Sequence, residues 1–208
     1  TYEIQYGNVT RPAHWNRPGD LAMFEVAAQK WSDLSEGGQG VSLLNDCKYG
    51  HSIHDGEMRL TLLRAPKSPD PEADINKKHV FTYSLFPHAG DYRNGTVRQA
   101  YELNVPLTVT RPRGAGPPGP RAASFMGVDA ANLVIEAVKK AEDGKSVIIR
   151  LYEAHKKRGR ARLRLGFAAR RAFLADLMER DLRPVAVRDG AIAFNYKPFE
   201  ILTFRVEI

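Results

Sequence analysis

His51 and His54 stand three residues apart with Asp55 beside the second, a spacing that could ligate a metal ion if the segment were helical. Gly50 and Gly56 flank the pair, so the segment is expected to be a turn in which the two side chains need not converge. Turn polarity is therefore preferred over a metal site. Cys47 is the single cysteine, and its neighbour Lys48 could lower the thiol pKa toward that of a nucleophile. For a lone cysteine in a strand-to-turn segment, packing is the more ordinary role. The sequence holds no HExxH, no glycine-rich phosphate loop and no GxSxG elbow. Its carboxylates are scattered, and sequence spacing alone nominates no catalytic pair across β-strands. From the residues alone, no complete catalytic constellation can be assembled.

A basic segment, HKKRGRARLRL from His155 to Leu165, suggests a different chemistry. Arg160, Arg162 and Arg164 alternate with Ala161, Leu163 and Leu165. In a strand this sets three guanidinium groups on one face and the apolar side chains on the core side. Such a stripe could contact a phosphate backbone, but no stacking aromatics stand nearby to reinforce it. A solvated sheet face is the preferred reading, with nucleic-acid binding through Arg160, Arg162 and Arg164 as the lesser one. The charge is unevenly placed: 12 basic and 13 acidic residues lie in residues 1–111, and 19 basic and 11 acidic in 112–208. The overall charge of +7 thus belongs to the second part and does not describe a uniformly basic nucleic-acid binder.

The elements that must position these groups read as strands. Apolar and polar residues alternate in FEVAAQKWSDL (24–34), QGVSLLND (39–46), EMRLTLLR (57–64) and HVFTYSLFPH (79–88), with Gly, Pro, Asp and Asn between the runs. The proline-rich segment 64–78 is expected to be a surface loop, and Asn94-Gly95 a tight turn. RPRGAGPPGPR, residues 111–121, reads as an extended linker. Beyond it, SVIIRLYEAH (146–155) and RARLRLGF (160–167) alternate, and Asp189-Gly190 marks a hairpin. ANLVIEAVKKAED (131–143) fits either a short helix or an edge strand. The expected fold is all-β, with two antiparallel β-sandwich units over 1–111 and 122–208 joined through 112–121. No apolar run is long enough for a membrane helix, no secretory signal is expected, and the single cysteine favours a reducing, cytoplasmic location.

The motifs KW-DLSE, LLNDCKYG, LLR-PK-PD and FTY-L-PH-G follow one another between Phe24 and Arg93. That succession closely resembles the C-terminal part of α-mannosidases of glycoside hydrolase family 38, and within it the cytosolic-type branch. NVTRPAHWN before it and RLYEAHKKRGRARL after the linker are similar to the same family. The resemblance implies that 1–111 is the closing part of a large, galactose-mutarotase-like supersandwich and 122–208 a small terminal sandwich. It also implies that the catalytic residues and metal ligands lie in a missing N-terminal catalytic domain of the same polypeptide.

This chain would then be the non-catalytic C-terminal portion of a retaining, metal-dependent enzyme that hydrolyses terminal α-D-mannosyl residues, and would be inactive alone. No cofactor is expected in the chain itself, whereas zinc or cobalt is implied for the catalytic domain of the parent. Expected partners are that domain and mannosides or oligomannose glycans, with no membrane, and exposed sheet edges invite self-association. Asp46, Lys48, Tyr49 and Arg64 are the candidates for the rim of the sugar site, since their side chains can accept, donate to or stack on a sugar. The competing reading is structural: Asn45 and Asp46 cap a tight turn, and Arg64 pairs with it. Tyr152, Glu153 and His155 could face the same interface, with a structural role preferred. The alternative function is a stand-alone carbohydrate-binding or scaffold module, with an aromatic platform built from Trp15, Trp31 or Tyr49.

Overall fold

In a computed structural model, residues 1–68, 71–72, 75–111, 122–142 and 144–208 are described, and the expected linker 112–121 lies outside them. The chain divides into two compact units, Thr1–Thr108 and Val109–Ile208. Both are built from antiparallel sheets, so the all-β class holds. Among the described residues no helix is long and apolar enough to cross a membrane.

The first unit contains β1 (Tyr2–Ile4), β2 (Gly7–Val9), α1 (Pro18–Ala22), β3 (Val26–Ala27), β4 (Trp31–Glu36), β5 (Gln39–Asn45), β6 (Gly50–His54), β7 (Glu57–Leu60), β8 (Tyr83–Ala89) and α2 (Thr96–Asn104). Its five-stranded sheet has the order β2-β1-β4-β5-β8, and β3-β6-β7 form a second sheet. Alternation along β4 and β5 divides their side chains between two covered faces. Asp33 and Ser42, cross-strand partners, point to α2, where Thr96, Val97 and Ala100 are buried. Ser32 points the other way and meets His51 of β6. Beside it, Tyr2, Ala28 and Ile53 form a small apolar core backed by Val26, Leu34 and Met58. The three-stranded sheet covers only part of this face, because Tyr83 and Leu85 on β8 remain 56% and 64% exposed.

Several sequence expectations need correction. Residues 24–34 are not one strand: Ala28 to Lys30 interrupt β3 and β4, because Ala28 N–H turns to the Tyr49 carbonyl and Lys30 N–H to Glu3 Oε2 (2.6 Å). The strand expected over 79–88 begins only at Tyr83. The tight turn expected at Asn94-Gly95 is present, and Gly95, at φ 107°, ends it as the N-cap of α2.

The second unit contains β9 (Met126–Val128), β10 (Leu133–Lys140), β11 (Ser146–Glu153), β12 (Gly159–Leu165), β13 (Arg171–Ala175), β14 (Asp181–Val185), β15 (Val187–Arg188), β16 (Ala191–Tyr196) and β17 (Ile201–Glu207). Sheets ordered β10-β11-β17-β13-β14 and β15-β16-β12-β9 face each other. Between them lie Ile149, Leu151, Leu163, Ile192, Phe204 and Val206, each fully buried. Burying each such side chain contributes about 1.5–3 kcal/mol, so this layer holds the sandwich together. The segment that fitted either helix or strand is the edge strand β10. Asp189 and Gly190, at φ 51° and 68°, make the β15–β16 hairpin turn.

Candidate functional site

The expected rim residues sit at a corner where β5 ends and β6 begins, and Asn45 fixes that corner. Its side chain is buried and reaches three partners: Nδ2 donates to the Gln29 carbonyl (3.0 Å) and approaches His51 Nε2 (3.3 Å), while Oδ1 accepts the Lys48 N–H (2.7 Å). Asn104 of α2 donates to the Asn45 carbonyl at 3.0 Å. Asn45 therefore closes the turn, and the side chains that follow it project outward.

Asp46 is exposed and tied to the segment before β8. Its N–H donates to the Thr82 carbonyl (3.1 Å), and its Oδ1 accepts the Thr82 N–H (2.9 Å). That backbone donor, with help from the Cys47 thiol, holds the Asp46 carboxyl below the usual range. Deprotonated at neutral pH, Asp46 can accept a hydroxyl proton but is unsuited to donate one as a general acid. Lys48 Nζ lies over the Phe81 ring at 5.1 Å, and Tyr49 is 54% exposed while its carbonyl holds Ala28 N–H. Arg64 lies on the exposed segment after β7. Asp46, Lys48 and Tyr49 thus share one fixed corner, the first two anchored on residues 81–82.

Two expectations about reactive groups are corrected. Cys47 is exposed, so it is no packing residue. Its pKa is raised rather than lowered, since the hydrogen bond to Asp46 and that residue's charge outweigh Lys48. His51 and His54 occupy strand β6, and the turn lies after them at Asp55-Gly56. Being three apart in a strand, they point to opposite faces. His51 is buried between Ser32 Oγ (3.0 Å) and Asn45, whereas the His54 ring stacks on Trp15 with centroids 3.8 Å apart. Among the described residues no three His, Cys, Asp or Glu side chains converge as metal ligands. Of the aromatics considered for a platform, Trp31 is buried against Tyr92, while Trp15 is 45% exposed.

A buried Asp33, His88, Ser42 and Thr96 cluster was missed by sequence reasoning. His88 Nε2 lies 2.6 Å from Asp33 Oδ1 and 3.0 Å from Ser42 Oγ, and Ser42 Oγ is 2.7 Å from both Asp33 Oδ1 and Thr96 Oγ1. The trio invites comparison with a catalytic triad. In a triad, however, the carboxylate and the hydroxyl engage opposite ring nitrogens, whereas here both approach Nε2. The cluster joins the sheet to α2. Gly40 is what lets His88 in, because a Cβ there would overlap the His88 ring and stand 2.8 Å from Ser35 Cβ. Gly40→Ala is therefore expected to cost about 1–3 kcal/mol, read as a lower urea midpoint in tryptophan emission.

Tyr152, Glu153 and His155 are buried in the second unit, 3%, 0% and 8% exposed. Glu153 accepts three N–H groups, from Asn132 Nδ2 (2.9 Å), His155 N (2.8 Å) and Phe199 N (3.0 Å). The role of Glu153 is structural, and a carboxylate so occupied has little left for a ligand.

Two family patterns match the chain. "Glycosyl hydrolases family 38 C-terminal domain" covers residues 1–72, and "Glycosyl hydrolases family 38 C-terminal beta sandwich domain" covers residues 132–204. The chain belongs to the C-terminal region of glycosyl hydrolase family 38. Among similar proteins, Alpha-mannosidase 2C1 of Homo sapiens is 42% identical over 98% of this chain and 20% of its own length. Alpha-mannosidase of Saccharomyces cerevisiae is 34% identical over 99% of this chain and 21% of its own. This family 38 region therefore spans about a fifth of the relatives it matches. A solved structure, an alpha-mannosidase from Enterococcus faecalis V583, superposes with a TM-score of 0.76 at 23% identity. It covers 99% of this chain and 24% of that one, a likeness that supports the fold.

Proposed function

We propose that this chain is the non-catalytic C-terminal portion of a retaining α-mannosidase that hydrolyses terminal α-D-mannosyl residues. In this reading it supports the catalytic domain and lends the Asp46–Tyr49 corner, with Arg64, to the rim of the sugar site. The observation that carries the rim assignment is the fixed corner: Asn45 and Thr82 hold the backbone while a carboxylate, an ammonium and a phenol project from it. Such groups bind hydroxyls from defined directions, and a pre-fixed backbone lowers the ordering cost of binding. Relatives named alpha-mannosidase over almost the whole chain support the parent activity.

Retention needs two carboxyl groups about 5 Å apart, one as nucleophile and one as acid and base. Asp46, held deprotonated and bound to Thr82, is assigned to neither role. Among the described residues no three potential ligands converge, so the zinc or cobalt implied for the parent is assigned to its catalytic domain and no step is routed through it. The isolated chain, incubated with an aryl α-mannoside and added zinc or cobalt, is expected to show no turnover above background. Turnover would overturn the non-catalytic assignment. In the whole enzyme Asp46→Ala should raise KM while leaving kcat nearly unchanged, the signature of binding lost equally from ground and transition states.

A further inference from the structure

The two outer faces of the second unit treat their arginines differently. On the outer face of the five-stranded sheet Arg171 pairs with Glu207 (2.7 Å), Arg205 with Asp181 (2.5 Å) and Glu207 (3.4 Å), and Lys139 with Glu179 (2.6 Å), whereas Arg183 and Lys140 on its edge strands have no such partner among the described residues. Arg150 donates to Thr203 Oγ1 and to the Leu177 carbonyl. On the four-stranded sheet, Arg160, Arg162 and Arg164 of β12 and Arg188 of β15 are all exposed, and among the described residues none of their guanidinium groups has a hydrogen-bond or ion-pair partner. Register brings them together, since Arg162 lies opposite Ala193 of β16, and Ala191 stands between Arg164 and Arg188.

The small alanines leave a shallow concavity of about 700 Å³, lined by Arg160, Arg162, Arg188, Ala191, Ala193 and Asp129. Asp129 does not neutralise it through a guanidinium, because its Oδ1 accepts the backbone N–H of Arg162 at 2.8 Å. A merely solvated face would carry mixed charge, as the opposite sheet does. Unpaired like charges repel one another across neighbouring positions, a cost that an anionic partner would remove.

We propose that this face docks an extended, carboxylate-bearing protein segment. Alternate residues of a strand are about 7 Å apart, so acidic side chains at every second position of an extended partner would meet Arg160, Arg162 and Arg164 in register. Each guanidinium can take a carboxylate in bidentate fashion. Both edges of β12 are already paired, with β16 and β9, so the partner lies across the face and does not add to an edge. The alanine floor can be covered by a protein backbone. Among the described residues lining the concavity none is aromatic, so no base would be stacked there, which argues against single-stranded nucleic acid. The inference does not depend on the mannosidase reading.

The test is fluorescence anisotropy of the intact chain with a labelled peptide of alternating glutamate and serine, and with an oligouridine of equal charge. The peptide should bind more tightly than the RNA, and binding should weaken steeply with salt. Arg160→Ser/Arg162→Ser and, separately, Arg162→Ser/Arg188→Ser should each weaken peptide binding about tenfold or more. Arg59→Ser/Arg98→Ser, the same loss of charge in the first unit, should leave it nearly unchanged. Absence of peptide binding, equal loss in the control variant, or tighter binding of the RNA would each overturn the proposal.

Discussion

Glu153→Gln is expected to lower the urea midpoint of the second unit by about 1.5 M, equivalent to about 3 kcal/mol at a typical slope. The substitution keeps shape and volume, so the loss does not come from a cavity. Glu153 uses both oxygens: Oε1 for Asn132 and His155, Oε2 for the Phe199 N–H. An amide nitrogen placed on either side would face a donor, leaving at least one buried N–H without an acceptor. Phe199, at φ 56°, belongs to the turn between β16 and β17, and Asn132 precedes β10 and accepts the Tyr196 hydroxyl at 3.1 Å. One carboxylate therefore ties together the ends of strands from both sheets. Circular dichroism gives the midpoint, and peptide-resolved hydrogen exchange over residues 146–153 and 201–207 localises the effect. A midpoint within about 0.3 M of the parent would refute this account of Glu153.

The first unit should lose stability as pH falls from about 6.5 to 4, by up to about 3 kcal/mol. Burial pushes His51 down to about 4, from an ordinary value of 6.5, because the water it has lost outweighs the Lys48 backbone contact and the Glu25 charge that would raise it. The unfolded chain takes up the proton first. The His51 contribution is therefore intact above pH 6.5 and declines until the folded imidazole also protonates. Asp46 acts lower on the scale: its depressed carboxyl contributes stability that is present above about pH 4 and lost below it, so the two windows barely overlap. Trp15 and Trp31 both lie in the first unit, and urea titrations followed by their emission at pH 7.5, 6.0, 5.0 and 4.5 isolate the histidine. His51→Gln should be less stable at pH 7.5 and flatter across the series; a slope equal to that of the parent would exclude His51 as its source.

What alternation could reveal was the set of strands with one wet face. β12 shows arginines outward and leucines inward, and the structure keeps both assignments. β4 hid its burial, since Trp31, Ser32 and Asp33 are all inaccessible on a strand covered by α2 on one side and the smaller sheet on the other. Polar residues on such a strand look solvated until their partners are known. That is why Asp33 and His88 went unnoticed, 55 residues apart in sequence. Helix α2 was missed for a local reason: its N-cap is a glycine with no side-chain cap bond, and Asn94-Gly95 carries the stronger turn signal. The rim candidates were legible through family motifs, but Asn45, which fixes their corner, gave no signal of its three partners.

The uncovered part of the first unit's sheet, where Tyr83 and Leu85 stand more than half exposed, affects how this protein should be assayed. Hydrophobic reporter dyes such as anilinonaphthalene sulfonate light up on accessible apolar surface, and their emission is commonly taken to mean that tertiary packing has loosened. Here the fully native chain presents such surface by construction. Dye emission alone would misclassify a folded sample as molten. Near-ultraviolet dichroism from Trp31, stacked on Tyr92 in the interior, is the better witness of intact packing.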